Sequence, residues 1–127
     1  MTAVASRLPV EPITLRSYQP GDEASICELY RTVFGRPLTL AQWRWRHLDN
    51  PYSRPMVHVA VEPDGRVIAH FALVSAPLRC GGSRTRGALS IQSMVHPAWQ
   101  RRGLLSRLAH NAERQLKEEG VQVAYAF

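Results

Sequence analysis

The residues best placed to do chemistry lie in one run, Ser93 to Leu108. An apolar stretch from Ala88 to Val95 stops at His96-Pro97, crosses a short basic turn and becomes a helical pattern at Gly103. A strand, a turn and a helix start are predicted in that order. The first amides of a helix have no intrahelical partner and point out of its N-terminal end, where an anion can accept from them. Gly103 carries no Cβ and takes dihedrals that strain other residues, so the backbone there can close on a bulky oxyanion. Gln100 adds donors, and Arg101 and Arg102 add permanent positive charge at the mouth of the cradle. The chemistry predicted is the binding of a phosphate or pyrophosphate. The plainer alternatives are an ordinary helix-start glycine at Gly103 and a solvated arginine pair beside it. His96 is read as shaping the turn.

The elements that must position this run follow in chain order. Residues 1–12 hold two prolines and no period, and read as a disordered leader. Ile13 to Tyr18 alternates and suits a first strand closed by Pro20-Gly21. Asp22 is placed to cap a helix in which Ile26, Leu29 and Val33, with Cys27, Tyr30 and Phe34, form one broad apolar face. Thr39 caps a second helix through Leu40, Trp43 and Leu48, ended by Asp49-Asn50-Pro51. Val57 to Glu62, Val67 to Leu78 and Thr85 to Val95 form an antiparallel meander, joined by Pro63-Asp64-Gly65 and by Gly81-Gly82. His58 and His70 fall on its facing strands as candidate neighbours, a hydrogen-bonded pair being the favoured reading over a metal site. The helix after Gly103 presents Leu105, Leu108, Ala109, Ala112 and Leu116 on one face, with Glu113–Lys117 and Arg114–Glu118 pairs opposite. Gly120 caps it, and Val121 to Phe127 is a strand.

With 127 residues, 45% hydrophobic and 20% charged, the chain suits one domain with one core. The net charge of +6 favours a polyanionic partner. All but Lys117 of the 16 basic residues are arginine, spread along the chain with no run that marks a basic tail, so a phosphorylated cofactor is favoured over nucleic acid. The Trp43-Arg44-Trp45-Arg46 repeat admits an aromatic and basic nucleic-acid patch. The alternative is one tryptophan in the core and the other roofing a cleft. Cys27 and Cys80 stand apart, and the five histidines lack metal-ligand spacing, so neither a disulfide nor a metal site is expected. No stretch approaches a membrane span and nothing resembles a signal peptide, which points to the cytoplasm.

Gln100-Arg101-Arg102-Gly103-Leu104-Leu105 resembles the Gln/Arg-x-x-Gly-x-Gly/Ala pyrophosphate loop of the GNAT N-acetyltransferases, and Val95 to Trp99 resembles its usual lead-in. Leu105 departs from the pattern, standing where the family has Gly or Ala. The element order from Ile13 to Phe127 is similar to that family too. The resemblance implies an α/β (α+β) GNAT-like fold, with a mixed, mostly antiparallel sheet flanked by helices and the sequence ending in the fifth strand. It implies that the fourth and fifth strands splay, and that Ser93, Met94 and Val95 offer backbone groups to the pantetheine arm of acetyl-CoA. Plain strand packing is the alternative for Ser93 and Met94. Gln100, Arg101, Arg102, Gly103, Leu104, Leu105 and Ser106 would hold the diphosphate. The loop between the first two helices would overlie the acceptor, making Arg44, Trp45 and Arg46 its candidate contacts.

The implied reaction is direct acetyl transfer from acetyl-CoA to a small-molecule or peptide amine, without an acyl-enzyme and without a metal. Placement supplies up to about 7–11 kcal/mol in well-oriented systems. A general base typically adds ~10²–10⁴-fold. Ser90 and Gln92 stand where many relatives have a carboxylate, so no base is assigned. The family's usual proton donor to the thiolate lies beyond the fifth strand, and Tyr125 is not at that position. The domain over residues 13–127 is therefore expected to be incomplete and a poor catalyst alone. Two rival readings are a CoA-binding domain that transfers nothing and a basic nucleic-acid-binding module. The open edge of the last strand invites association into a homodimer.

Overall fold

The computed structural model describes residues 12–49, 51 and 54–125. The leader, apart from Pro12, lies outside that range, as do Asn50 in the expected helix stop and the last two residues of the expected fifth strand. The elements in order are β1 (Thr14–Ser17), α1 (Glu23–Phe34), α2 (Leu40–His47), β2 (Met56–Val61), β3 (Val67–Cys80), β4 (Ser83–Val95), α3 (Leu104–Glu118) and β5 (Val123–Tyr125). A short 3-10 turn, Pro97–Trp99, separates β4 from α3.

The five strands make one sheet in the order β1-β2-β3-β4-β5. Its first three pairings are antiparallel, and β5 lies parallel to β4. Turn chemistry explains the meander. Gly81 and Gly82 both take positive φ, 57° and 83°, and close a two-residue hairpin that matches the sheet's twist. This carries the β3–β4 pairing to Cys80↔Ser83, two residues further on each strand than the expected ends at Leu78 and Thr85. Every residue of β2 is buried, as befits a strand covered on both faces.

On one face, α1 and α2 bury Ile26, Leu29 and Trp43 against Val57, Val59, Ala72 and Met94. On the other, Leu104 and Leu108 of α3 pack on Ala60, Ile68 and Ala69. Ala112 joins Met56, Leu73 and Ala88 nearby. The predicted face of α3 is therefore turned by about one residue: Leu104 is in the core and Leu105 only half-buried. The predicted Glu113–Lys117 and Arg114–Glu118 pairs are not among the ion pairs of the described residues, where His110 meets Glu113 at 3.4 Å.

Thr39 caps α2 as predicted, with a complete capping box: its hydroxyl accepts from the Gln42 amide and the Gln42 side chain accepts from the Thr39 amide. Asp22 behaves differently. It occupies the cap position of α1 in helical conformation and makes no side-chain cap bond. Its carboxylate instead accepts from both terminal nitrogens of Arg16, at 2.7 and 3.0 Å, and from the Gln19 amide. A bidentate arginine is the stronger partner, so the capping role is forgone.

His58 and His70 are not neighbours. His58 lies opposite Phe71 and His70 opposite Val59, so the two rings project from opposite faces of the sheet. His58 bonds Gln115 of α3, whereas His70 meets Trp43 of α2. No described helix is long and apolar enough to cross a membrane, which says nothing of strands that cross as a barrel.

Candidate functional site

Between β4 and α3 the backbone turns sharply. His96 ends the strand, and its ring nitrogen Nδ1 accepts from the Ala98 amide, which shapes the turn as the sequence suggested. Its Nε2 lies 2.7 Å from Arg66. Arg101 and Gly103 both take left-handed backbone, with φ of 65° and 74°. At Gly103 the reason for glycine is this dihedral, because a Cβ would meet nothing within 4 Å. The first intrahelical bond runs from the Arg107 amide to the Gly103 carbonyl, leaving the amides of Leu104, Leu105 and Ser106 without helical partners. They form the positive end of a 15-residue helix.

These amides border a cavity of about 370 Å³, whose walls come from Val33 and Phe34 of α1, the end of β4, and the turn into α3. Ser93, Met94, Val95, Gln100, Arg101, Gly103, Leu104, Leu105 and Ser106 all line it, bringing together nearly every residue expected to hold a CoA molecule. Arg102 is the exception: its guanidinium stacks over the Trp99 ring at 4.9 Å from the centroid. Leu105 stands on the cavity wall, where the smaller Gly or Ala of the resembling loop would leave more room.

The strand edge beside this cavity is open. β5 pairs with β4 from Gly87↔Val123 to Leu89↔Tyr125, and beyond Leu89 no pairing on that edge is seen among the described residues. A second groove of about 680 Å³ begins there. Ser90 and Tyr125 line it, and it shares Ser106 with the first cavity. A larger groove of about 860 Å³ runs along the C-terminal half of α3 past His58 and Lys117, at the opposite end of the helix from the free amides.

β4 is also bulged. Its register with β3 passes from Ala72↔Ile91 to His70↔Met94, so Gln92 and Ser93 together face the single residue Phe71. Gln92 has φ of 56°, a left-handed conformation that costs a non-glycine residue about 1–2 kcal/mol. The Ser90 and Ser93 hydroxyls meet across the bulge at 3.0 Å. Beneath it lies a polar cluster that sequence reasoning missed. Trp43 Nε1 donates to His70 Nε2 at 3.3 Å, His70 Nδ1 bonds the Gln92 carbonyl at 2.8 Å, and His47 Nε2 meets Gln92 Oε1 at 2.6 Å. Burial drives the His47 imidazole down to about 4, against the opposing hydrogen bond from Gln92. Burial, and then the neighbouring His47, drives His70 to about 3. Both rings are neutral at pH 7. The spacing of Trp43 and His47, one helical turn apart, signalled that they share a face, but nothing local ties them to His70 or Gln92.

The acceptor candidates sit on α2. Trp43 fills the core, as expected of one of the two tryptophans, whereas Trp45 is 71% exposed and lines none of the three cavities described above. Arg44 lies 3.2 Å from the Glu23 carboxylate. Burial pushes Glu23 up, but backbone amides, Tyr18 and Arg44 outweigh it and hold the carboxyl below its usual range. Arg46 is half-buried. Among the described residues no group of three or more His, Cys, Asp or Glu side chains is arranged to hold a metal.

A mixed five-stranded sheet with two helices on one face and one on the other, bulged beside an open strand edge and a helix start, defines the acyl-CoA N-acyltransferase fold. The acetyltransferase (GNAT) domain family matches residues 14–127, and the chain belongs to that family. Among solved structures, a GNAT-family N-acetyltransferase from Escherichia coli in complex with CoA superposes with a TM-score of 0.74 at 19% identity, covering 94% of this chain and 64% of that one. Glucosamine-6-phosphate N-acetyltransferase from Arabidopsis thaliana gives 0.71 at 14% identity, over 92% and 82% of the two chains. An acetyltransferase from Trypanosoma brucei gives 0.66 at 19% identity, over 91% and 82%. A search of curated proteins gives no match. The family supports acyl transfer as the general chemistry.

Proposed function

We propose that the protein binds acetyl-CoA in the cleft between β4 and the start of α3 and transfers its acetyl group directly to an amine. The observation that carries this reading is the convergence on one cavity of the β4 edge at Ser93–Val95, the turn at Gln100, Arg101 and Gly103, and the amides of Leu104, Leu105 and Ser106, which have no helical partner. A diphosphate at the α3 N-terminus would accept from those amides and be favoured by the helix dipole. Arg101 on the wall and Arg102 nearby would add charge. The pantetheine arm would run along the open edge of β4, pairing with Ser93 to Val95 and leading the thioester toward the bulge. Arg44, Trp45 and Arg46 would meet the acceptor, a small molecule or peptide. With Ser90 and Gln92 near the reacting end and no carboxylate beside them on β4, the main contribution would be placement of amine and thioester.

The test is calorimetric titration with acetyl-CoA and CoA of the wild-type chain and the Ser106→Glu variant. Position 106 lies in the first turn of α3 and its side chain is exposed, so a glutamate there suits the helix dipole and should leave stability intact or slightly raised. The same charge beside a diphosphate should weaken CoA binding by at least about tenfold, or about 1.4 kcal/mol. Unchanged CoA affinity in this variant would place the cofactor elsewhere. Thiol release with a panel of amines then separates transfer from binding alone.

A further inference from the structure

The β4 bulge is held from beneath by a one-way chain of hydrogen bonds. An indole N–H can only donate, so with Trp43 Nε1 at 3.3 Å the His70 Nε2 must be the acceptor. That assigns the imidazole proton to Nδ1, which then donates to the Gln92 carbonyl at 2.8 Å. His70 is wholly buried, so water does not compete for either bond. The carbonyl it grips belongs to the left-handed residue of the bulge, at the step where β4 loses its regular register with β3. His47 reaches the Gln92 side chain as well, but this arm leaves His47 Nδ1 and Gln92 Nε2 buried without partners. Unpaired buried polar atoms offset much of what such a bond contributes, so the fully paired arm through His70 dominates.

We infer that Trp43 and His70 are positioning residues: by pinning the Gln92 carbonyl they set the direction of the Ser93–Val95 backbone and so present that edge of β4 to the donor's pantetheine arm. This rests on the reading of the cleft as a CoA site. A left-handed non-glycine residue persists only where its surroundings hold it, and the His70 bond is the buried contact that does so here. Removing the donor would let Gln92 relax toward extended backbone and shift the Ser93–Val95 edge. The turn at Gln100 and the α3 amides, on the far side of His96, would be left in place.

The experiment titrates CoA, and separately 3′-phosphoadenosine 5′-diphosphate, the nucleotide part of CoA without its pantetheine arm, into four proteins: wild type, His70→Phe, His70→Asn and Trp43→Phe. His70→Phe should weaken CoA by roughly tenfold, the scale of one lost buried hydrogen bond, and leave the nucleotide fragment unchanged. His70→Asn retains a donor near the Nδ1 position and should restore most of the CoA affinity. Trp43→Phe, a milder change that frees the tautomer, should weaken CoA selectively and answers the question if His70→Phe does not fold. Wild-type protein that binds neither ligand would sink the CoA reading and this inference together. If wild type binds both, the CoA reading stands and the inference alone is overturned by any of three results: both ligands weakened equally, CoA affinity unchanged in the variants, or His70→Asn as defective as His70→Phe.

Discussion

His47 and His70 make the folded protein sensitive to mild acid. Their folded values of about 4 and about 3 lie below the ordinary 6.5, so between those limits the unfolded chain binds protons that the folded one refuses. Their contribution to stability is complete above pH 6.5 and is lost as the pH falls through this window, by up to about 1.4 kcal/mol per pH unit for each ring. Asp22 and Glu23 take up protons only around or below their ordinary values of 3.8 and 4.5, which the fold lowers, for Asp22 against its burial through Arg16 and the Gln19 amide, so they add little between pH 7 and pH 5. Urea unfolding at pH 7 and pH 5 should therefore show a clear loss at the lower pH, and His47→Gln should make that loss smaller. Equal pH slopes for variant and wild type would mean that the folded imidazole already carries its proton at pH 5.

At the scale of elements, α3 separates packing from binding between two leucines one turn apart, Leu108 and Leu105. Leu108 is fully buried against the sheet, and Leu108→Ala should cost about 2–5 kcal/mol in urea unfolding. Leu105 lies on the cavity wall, so Leu105→Ala should cost well under half as much and change CoA affinity instead. Comparable destabilisation by the two changes would contradict the observed rotation of the helix. α2 offers a second test through its capping box: Thr39→Ala should lower stability by about 1 kcal/mol, and a change within error would show that the box adds little to this eight-residue helix.

For the molecule as a whole, the net charge of +6 is the excess of 16 basic over 10 acidic residues, and several of the arginines are held in ion pairs, including Arg16 with Asp22, Arg54 with Glu119 and Arg66 with Glu62. Arg44 is held by Glu23 in the segment that suggested a nucleic-acid patch. Duplex DNA should bind weakly, without sequence preference, and with a steep loss toward physiological salt set by about 0.9 per phosphate contacted in a log–log plot. Fluorescence anisotropy over a salt series gives that slope. Sub-micromolar affinity at physiological salt would instead support a nucleic-acid partner.

Local chemistry in the sequence determined most of the scaffold and the main cleft. The alternation from Ile13 to Tyr18 that marks β1, the paired glycines at 81 and 82, the Thr39 box and the strand-to-helix run ending at Gly103 each act over a few residues, so their structures follow from neighbours along the chain. Tertiary structure decided what depends on distant partners. Leu104 rather than Leu105 faces the sheet because docking on β2 and β3 sets the helix rotation, which periodicity leaves open by about one residue. Asp22 surrendered its cap because Arg16 on β1 lies within reach. The bulge at Gln92 and the cluster beneath it join residues 22, 27 and 45 positions apart. Neither propensity nor spacing encodes that meeting: it exists only once α2 lies on the sheet and β4 slips its register against β3.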